Sequence, residues 1–364
     1  MMKNAKSLAA LCLLSVVPFA HAASSVPSWA VQTEGRQVRH ADGWQATWPG
    51  ANWNVRVAAQ AVGVTLDDAV NYYALEVDGK AVQKISPAAG ERTIWQDLPD
   101  SKPHAVRLFK LTQSPDNPGL FKGFSLRQGW PLGLPPKPRR QIEFIGDSWT
   151  VAYGNLSATR DCTDRQIVER SDASQSFAAY LGKLYGAQIQ NNGMSGMGMV
   201  RNWGGNMPQV DYRSYHLRLL QNLPETAPGN NAGRRYGWRP QLVVIALGVN
   251  DFGTDVGPDE KRSQQQLAND YVRAYHGLIA QLKQRYGNPA FLLAATYLWP
   301  ADRMRPLVSR IADEERRQGT TVAYVDWQNI ELTGCNWHPS LSDHAKMATQ
   351  MDAAIRTLGN VWDN

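Results

Sequence analysis

Beyond its first two dozen residues the chain has no apolar run long enough to cross a bilayer as a helix. Its formal charge is +6, yet no basic stretch carries the interleaved aromatics that nucleic-acid binding needs, so a nucleic-acid partner is not expected. Cysteine and histidine are not clustered at metal-ligand spacing, and no metal is expected. No Gly-rich phosphate loop is present, and no cofactor is expected. Internal repeats and low-complexity segments are missing too. What remains is a globular chain of 364 residues, long enough for two domains with separate cores. Tryptophan is plentiful, at 13.

The first residues read as a processing segment. Lys3 and Lys6 form a charged start, residues 8–19 an apolar run too short to span, and Ala20-His21-Ala22 a small-residue cleavage site. Residues 1–22 are therefore expected to be a signal peptide, with the mature chain starting at Ala23. Leu11 before Cys12 argues against a lipid-anchored form. The destination is the periplasm or the medium, with no membrane association after cleavage. Of three cysteines, Cys162 and Cys335 then remain in an oxidising compartment, where a disulfide is the expectation; two unrelated buried thiols are the alternative.

Residues 23–136 carry a β pattern. Asn54-Val55-Arg56-Val57 and Val106-Arg107-Leu108-Phe109-Lys110-Leu111 alternate. Tyr73-Ala74-Leu75-Glu76-Val77 meets Asp78-Gly79, a hairpin turn signal. No segment here has helical periodicity, and the reading is a small β-sandwich. A Pro-rich connector, Gly129-Trp130-Pro131-Leu132-Gly133-Leu134-Pro135-Pro136-Lys137-Pro138, marks the boundary. From residue 140 to 364 apolar strands (142–145, 187–190, 242–247, 291–296, 322–325) alternate with helical stretches (174–185, 263–286, 343–358). That alternation implies a parallel sheet covered on both faces. Residues 198–238 read as long loops, with one short helix near 212–220.

In such a sheet the carboxyl ends of the strands lie along one edge, where ligands bind. Four blocks fall there: Gly146-Asp147-Ser148 after the first strand; Asn191-Asn192-Gly193-Met194-Ser195-Gly196 after the second; Gly248-Val249-Asn250-Asp251 after the third; Trp337-His338-Pro339 before the last helix. Alone, Gly-Asp-Ser is also an ordinary strand-to-helix turn capped by Asp147 or Ser148. Together the blocks supply a nucleophile, a base and oxyanion donors. A serine hydroxyl needs a base, and histidine suits that task. A tetrahedral oxyanion needs preorganised donors, here the Ser148 N–H, the Gly196 N–H and the Asn250 amide. His344, in the first turn of the last helix, is the rival to His338. Trp203, Trp299 and Trp337 are candidates to stack on a sugar ring. Asp147 and Asp251 read as groups that order turns.

The order Gly-Asp-Ser, Ser-Gly, Gly-x-Asn-Asp, Trp-His-Pro resembles the SGNH (GDSL-type) hydrolases. Trp48-Pro49-Gly50, Asp78-Gly79, Lys110-Leu111-Thr112, Phe121-Lys122-Gly123-Phe124 and the strand into Ser148 narrow the resemblance to carbohydrate esterase family two. The resemblance covers nearly all of the mature chain. It implies an α/β fold: a flavodoxin-like parallel sheet with helices on both faces, preceded by a β-sandwich (jelly-roll) domain. It also implies a serine carbohydrate O-acetylesterase acting on acetylated polysaccharides or oligosaccharides such as xylan or glucomannan; a monomer is the separate expectation. The alternatives are an esterase for acylated cell-envelope glycans and an inactive carbohydrate-binding protein on the same scaffold. Two departures stand out. Val151-Ala152-Tyr153-Gly154 replaces the family's Gly-Tyr-Gly after the serine. The aspartate that commonly lies three residues before the histidine is Cys335 here, so another group must orient His338. A backbone carbonyl is the first choice, ahead of Asp326 and Asp343.

Overall fold

The structure, a computed structural model, describes residues 23–223 and 237–363. The expected leader and residues 224–236 of the expected loop region lie outside them. The N-terminal part contains strands β1 (Ser24–Ser25), β2 (Gln32–Glu34), β3 (Val38–His40), β4 (Gly43–Gln45), β5 (Asn52–Ala58), β6 (Ala61–Asp68), β7 (Tyr73–Val77), β8 (Lys80–Ile85), β9 (Ala88–Asp97), β10 (Pro103–Lys110), β11 (Leu120–Arg127) and β12 (Trp130–Pro131). They form two antiparallel sheets, β3-β4-β11-β6-β9 with β1 beside β11, and β12-β5-β10-β7-β8 with β2 beside β5. Period-two alternation sends Val55, Val57, Val106 and Leu108 of one sheet, and Val62, Val64, Leu66 and Phe124 of the other, into one shared core.

The second part is a five-stranded parallel sheet of β13 (Gln141–Gly146), β14 (Gln188–Gly193), β15 (Leu242–Ala246), β16 (Ala290–Thr296) and β17 (Val322–Trp327), in the order β14-β13-β15-β16-β17. This is the flavodoxin-like order, and the expected fold class is the one found. All residues of β13, β14, β15 and β16 are buried, as strands covered on both faces must be. The helices are α1 (Ser148–Val151), α2 (Asp164–Glu169), α3 (Phe177–Tyr185), α4 (Val249–Phe252), α5 (Gln264–Tyr286), α6 (Met304–Arg317) and α7 (Leu341–Arg356). The stripe Leu267, Tyr271, Tyr275, Leu278 and Leu282 seats α5 on one face of the sheet, with α6 beside it. On the other face α3 and α7 pack against Ile142, Phe144, Val244 and Leu292.

Besides the four-residue α1 and α4 at the strand ends, two helices lie outside the expected set. α6 buries Met304, Val308, Ile311, Ala312 and Glu315, a sparse apolar stripe among charges, with a proline in its first turn and no side-chain cap. α2 is short and is announced by a Thr163/Gln166 capping box. The expected helix near 212–220 is a single 3-10 turn, Tyr212–Ser214. Its Asp211 cap starts the turn, and although Tyr212, Tyr215, Leu219 and Leu220 are buried at helical spacing, the backbone past Ser214 runs as turns and bends.

The two parts are joined by more than the connector. Arg36, buried, reaches across to Glu143 on β13 at 2.8 Å and to Gln190 on β14 at 3.1 Å. A buried pair of this kind fixes relative orientation, because either charge alone in that interior would be costly.

Candidate active site

β13 ends at Gly146, and the chain turns at once into α1. Asp147 is the N-cap: the Trp149 N–H donates to its Oδ1 at 3.0 Å. Ser148 is the first residue of α1, so its own N–H has no carbonyl one turn back within the helix. The turn reading is thus true of Asp147, and it is what presents Ser148 at the strand end. The Ser148 hydroxyl donates to His338 Nε2 at 2.8 Å.

His338 is oriented without a carboxylate. Its Nδ1–H faces two backbone carbonyls, Cys335 O at 2.9 Å and Asn336 O at 3.0 Å. That selects the tautomer whose Nε2 lone pair points at Ser148. Asp326 is committed to Arg305 and Gln328. Asp343 caps α7 and accepts the Glu331 and Leu332 N–H groups. His344 is fully buried, accepts the Phe177 N–H at Nδ1, and makes no contact with Ser148.

The turn bearing His338 is unusual. Asn336 and Trp337 both have left-handed backbone, with φ of 51° and 61°. Non-glycine residues persist there only when the surroundings over-determine them. The surroundings do. Cys335 is bonded to Cys162 across 173 residues. Cys335 N–H donates to Gly154 O, Asn336 N–H to Arg160 O and Gly334 N–H to His338 O. A side chain at Gly154 would collide with Cys335, so the glycine is needed for this approach.

On the other side of Ser148 lies the loop after β14. Gly196 has φ of 78°, and its carbonyl accepts the Trp203 N–H at 3.0 Å. Asn250, at the start of α4, donates one amide proton to Met197 O at 2.8 Å, leaving the second for the cleft that it lines. Asp251 accepts the N–H groups of Met199, Val200 and Arg201. Arg201 in turn forms a bidentate pair with Glu260, whose hydrogen bonds hold that carboxyl down to about 2. Asp147 and Asp251 are therefore turn-ordering groups, as their positions suggested.

Electrostatics suit a neutral base. Burial holds the His338 imidazole down to about 4, against the smaller opposing pull of the two carbonyls. Burial also pushes the Asp147 carboxyl up to about 7 and that of Asp251 up to about 6, each opposed by backbone N–H donors.

Ser148, Gly196, Asn250 and His338 line one cleft of about 590 Å³ together with Trp203, Trp299 and Trp337. The three tryptophans are 48%, 81% and 63% exposed, far more than a packing role requires. Arg160 covers one face of Trp337, its guanidinium 3.6 Å from the ring centre. The structure thus brings every expected site residue together. It also adds three that sequence reasoning did not assign: Tyr153, whose ring lies 4.3 Å from that of His338; Arg160; and Gln113, from the N-terminal part, which contacts Ser195. Tyr153 stood inside a quoted motif; the other two carry no local signal. Among the described residues no group of three or more His, Cys, Asp or Glu could hold a metal ion.

The profile "Carbohydrate esterase 2 N-terminal" matches residues 33–136, and that of the "GDSL-like Lipase/Acylhydrolase family" matches residues 144–353. An acetylxylan esterase / glucomannan deacetylase of Cellvibrio japonicus is 31% identical over 318 residues, 87% of this chain and 86% of that protein. The cellulase/esterase CelE of Acetivibrio thermocellus is 28% identical; the match takes in 86% of this chain but 38% of that longer protein. Among solved structures, a carbohydrate esterase whose active site displays divergent catalytic and non-catalytic binding functions superimposes with TM-score 0.82 at 29% identity. It covers 93% of this chain and 100% of its own. A family two carbohydrate esterase from Clostridium thermocellum in complex with cellohexaose gives TM-score 0.78 at 26% identity, covering 90% and 98%.

Proposed function

The chain belongs to the GDSL-like lipase/acylhydrolases and, within them, to the family two carbohydrate esterases, and from that premise we propose that Ser148 and His338 remove O-acetyl groups from a polysaccharide such as xylan or glucomannan. The observation that carries the proposal is the 2.8 Å Ser148–His338 hydrogen bond at the floor of a tryptophan-walled cleft.

The chemistry follows from the contacts. Neutral His338 takes the Ser148 proton as Oγ attacks the acetyl carbonyl. The imidazolium that forms keeps its Nδ1–H on the Cys335 and Asn336 carbonyls, whose dipoles stabilise the charge that a carboxylate would otherwise balance. The oxyanion meets the N–H of Ser148 at the head of α1, the N–H of Gly196 and the free amide proton of Asn250. His338 then gives its proton to the departing sugar oxygen, leaving an acetyl-enzyme. Water, activated by the same imidazole, releases acetate. The flat faces of Trp203, Trp299 and Trp337 suit pyranose rings, which present apolar C–H faces to aromatics.

The disulfide fits an oxidising compartment, and we place the enzyme in the periplasm or medium. Among the described residues no helix is long and apolar enough to cross a membrane.

The test is acetate release from acetylated xylan and acetylated glucomannan by the wild type and by Ser148→Ala. Release by the wild type alone supports the proposal. Cleavage of a chromogenic acetate with neither polymer attacked moves the substrate to acylated envelope glycans. No turnover of any ester refutes the catalytic reading and leaves a binding protein.

A further inference from the structure

Among the described residues the loop Met194–Met197 is held on three sides from within its own domain. Met194 N–H donates to Gly146 O, Trp203 N–H to Gly196 O, and Asn250 to Met197 O. The fourth hold comes from the other domain. Gln113 Oε1 accepts the Ser195 N–H at 3.1 Å, while Gln113 Nε2 donates to the Ser195 hydroxyl. A single amide thus grips one residue at two points.

That residue is the one before Gly196. The Ser195 carbonyl and the Gly196 N–H belong to one planar peptide group. Glycine at φ 78° lets the plane swing more freely than any other residue would. Fixing Ser195 at its N–H and its hydroxyl removes that freedom and sets where the Gly196 N–H points.

Gln113 is itself held rigidly. Lys110, fully buried at the end of β10, donates through Nζ to Thr47 O at 3.2 Å, to Ser114 Oγ at 3.0 Å and to Thr112 O. Two of these bonds thus hold Thr112 and Ser114, the neighbours of Gln113, and the third ties them to Thr47. Thr112 is tied further to Asn71, and Ser114 N–H to Thr47 O.

We propose that Gln113, on the β-sandwich, is a positioning residue of the oxyanion hole: its amide clamps Ser195 and so aims the Gly196 N–H at the developing oxyanion. The sandwich is then part of the catalytic machinery and not only a wall of the cleft. This inference rests on the serine-esterase reading above.

The experiment uses the full chain, a small chromogenic acetate that no sugar subsite is needed to bind, and the variants Gln113→Met, Ser195→Ala, their double and Ser148→Ala. Methionine fills the space of glutamine without hydrogen-bonding. Removing one oxyanion donor outright costs roughly 10²–10³-fold in kcat, and mis-aiming one costs part of that. Gln113→Met is expected to lower kcat about tenfold or more with KM within about twofold. Affinity for a boronic acid that forms a tetrahedral adduct on Ser148 should weaken in step. Ser195→Ala, which keeps the backbone half of the clamp, should lose less, and should lose nothing further on a Gln113→Met background. Wild-type kcat and boronate affinity in Gln113→Met, with Ser148→Ala inert, overturn the clamp alone. A change confined to KM also overturns it. Ser148→Ala as active as wild type overturns the serine reading, and the clamp with it.

Discussion

Acidity is the most direct probe of how His338 is held. The perturbation is pH, read as kcat/KM, which reports the free enzyme's essential base. An ordinary histidine titrates near 6.5, and at about pH 4.5 only about 1% of it would be neutral. His338, held down to about 4 by burial, would still be about three-quarters neutral there, a difference of well over tenfold. The sign is set by chemistry. As pH falls through the folded value the imidazole gains a proton, Nε2 can no longer accept from Ser148, and activity is lost. The acid limb should therefore lie near pH 4, not near 6.5. Two buried carboxyls at the site also titrate in the range scanned, Asp251 near 6 and Asp147 near 7, and both become neutral as pH falls. Their loss of charge acts with opposite signs on the oxyanion and on the imidazolium, and any change they make falls between pH 7 and 5, apart from the acid limb near 4. An Asp251→Asn variant separates that effect from the histidine's. The assay is initial-rate hydrolysis of a chromogenic acetate, with the fold followed by circular dichroism at each pH. A single acid limb at about 6.5 in both proteins, with the fold intact, would refute the reasoning, because it would mean that His338 stays as hydrated as a surface histidine.

The disulfide offers a second probe. Cys162→Ser leaves the Cys335 carbonyl in place but frees the strained turn at Asn336 and Trp337. Chain-entropy arguments put a bridge closing 173 residues at about 5 kcal/mol as an upper estimate, so melting should fall by several degrees. We expect kcat to fall about tenfold, well short of the ~10⁴-fold that losing an orienting acid can cost, since the backbone hydrogen bonds still hold the turn. Unchanged kcat after full reduction, with free thiols counted, would sink this account. Trp299 is 81% exposed and packs little. Trp299→Ala should raise KM for an acetylated polymer several-fold, leave a small ester untouched and change stability by under about 0.5 kcal/mol; an equal loss on both substrates would deny it a glycan contact.

Much of this protein was legible in its residues alone. The switch from period-two alternation to strands separated by helical stripes reflects which faces are buried, and that is local information. It yields both layers of the fold and the edge where Ser148, Gly196, Asn250 and His338 meet. The choice of His338 over His344 also followed from local grammar, since a loop residue is free to face a cleft and a first-turn helical residue here is buried. For the group that orients His338 the residues left three candidates, a backbone carbonyl ahead of Asp326 and Asp343. The acceptors are carbonyls, which every residue carries, and only the left-handed turn at Asn336 and Trp337 aims them. The α6 helix was legible in principle, since Met304, Val308, Ile311 and Ala312 fall at helical spacing, but the charges between them and a proline in the first turn masked the stripe. Gln113 and Arg160 left no trace in the pattern. One lies 82 residues from the serine that it grips, the other 177 from the tryptophan that it covers. Periodicity reports how a segment is buried, not which distant segment it meets. Tertiary packing alone decided that a glutamine of the sandwich would stand beside the catalytic loop.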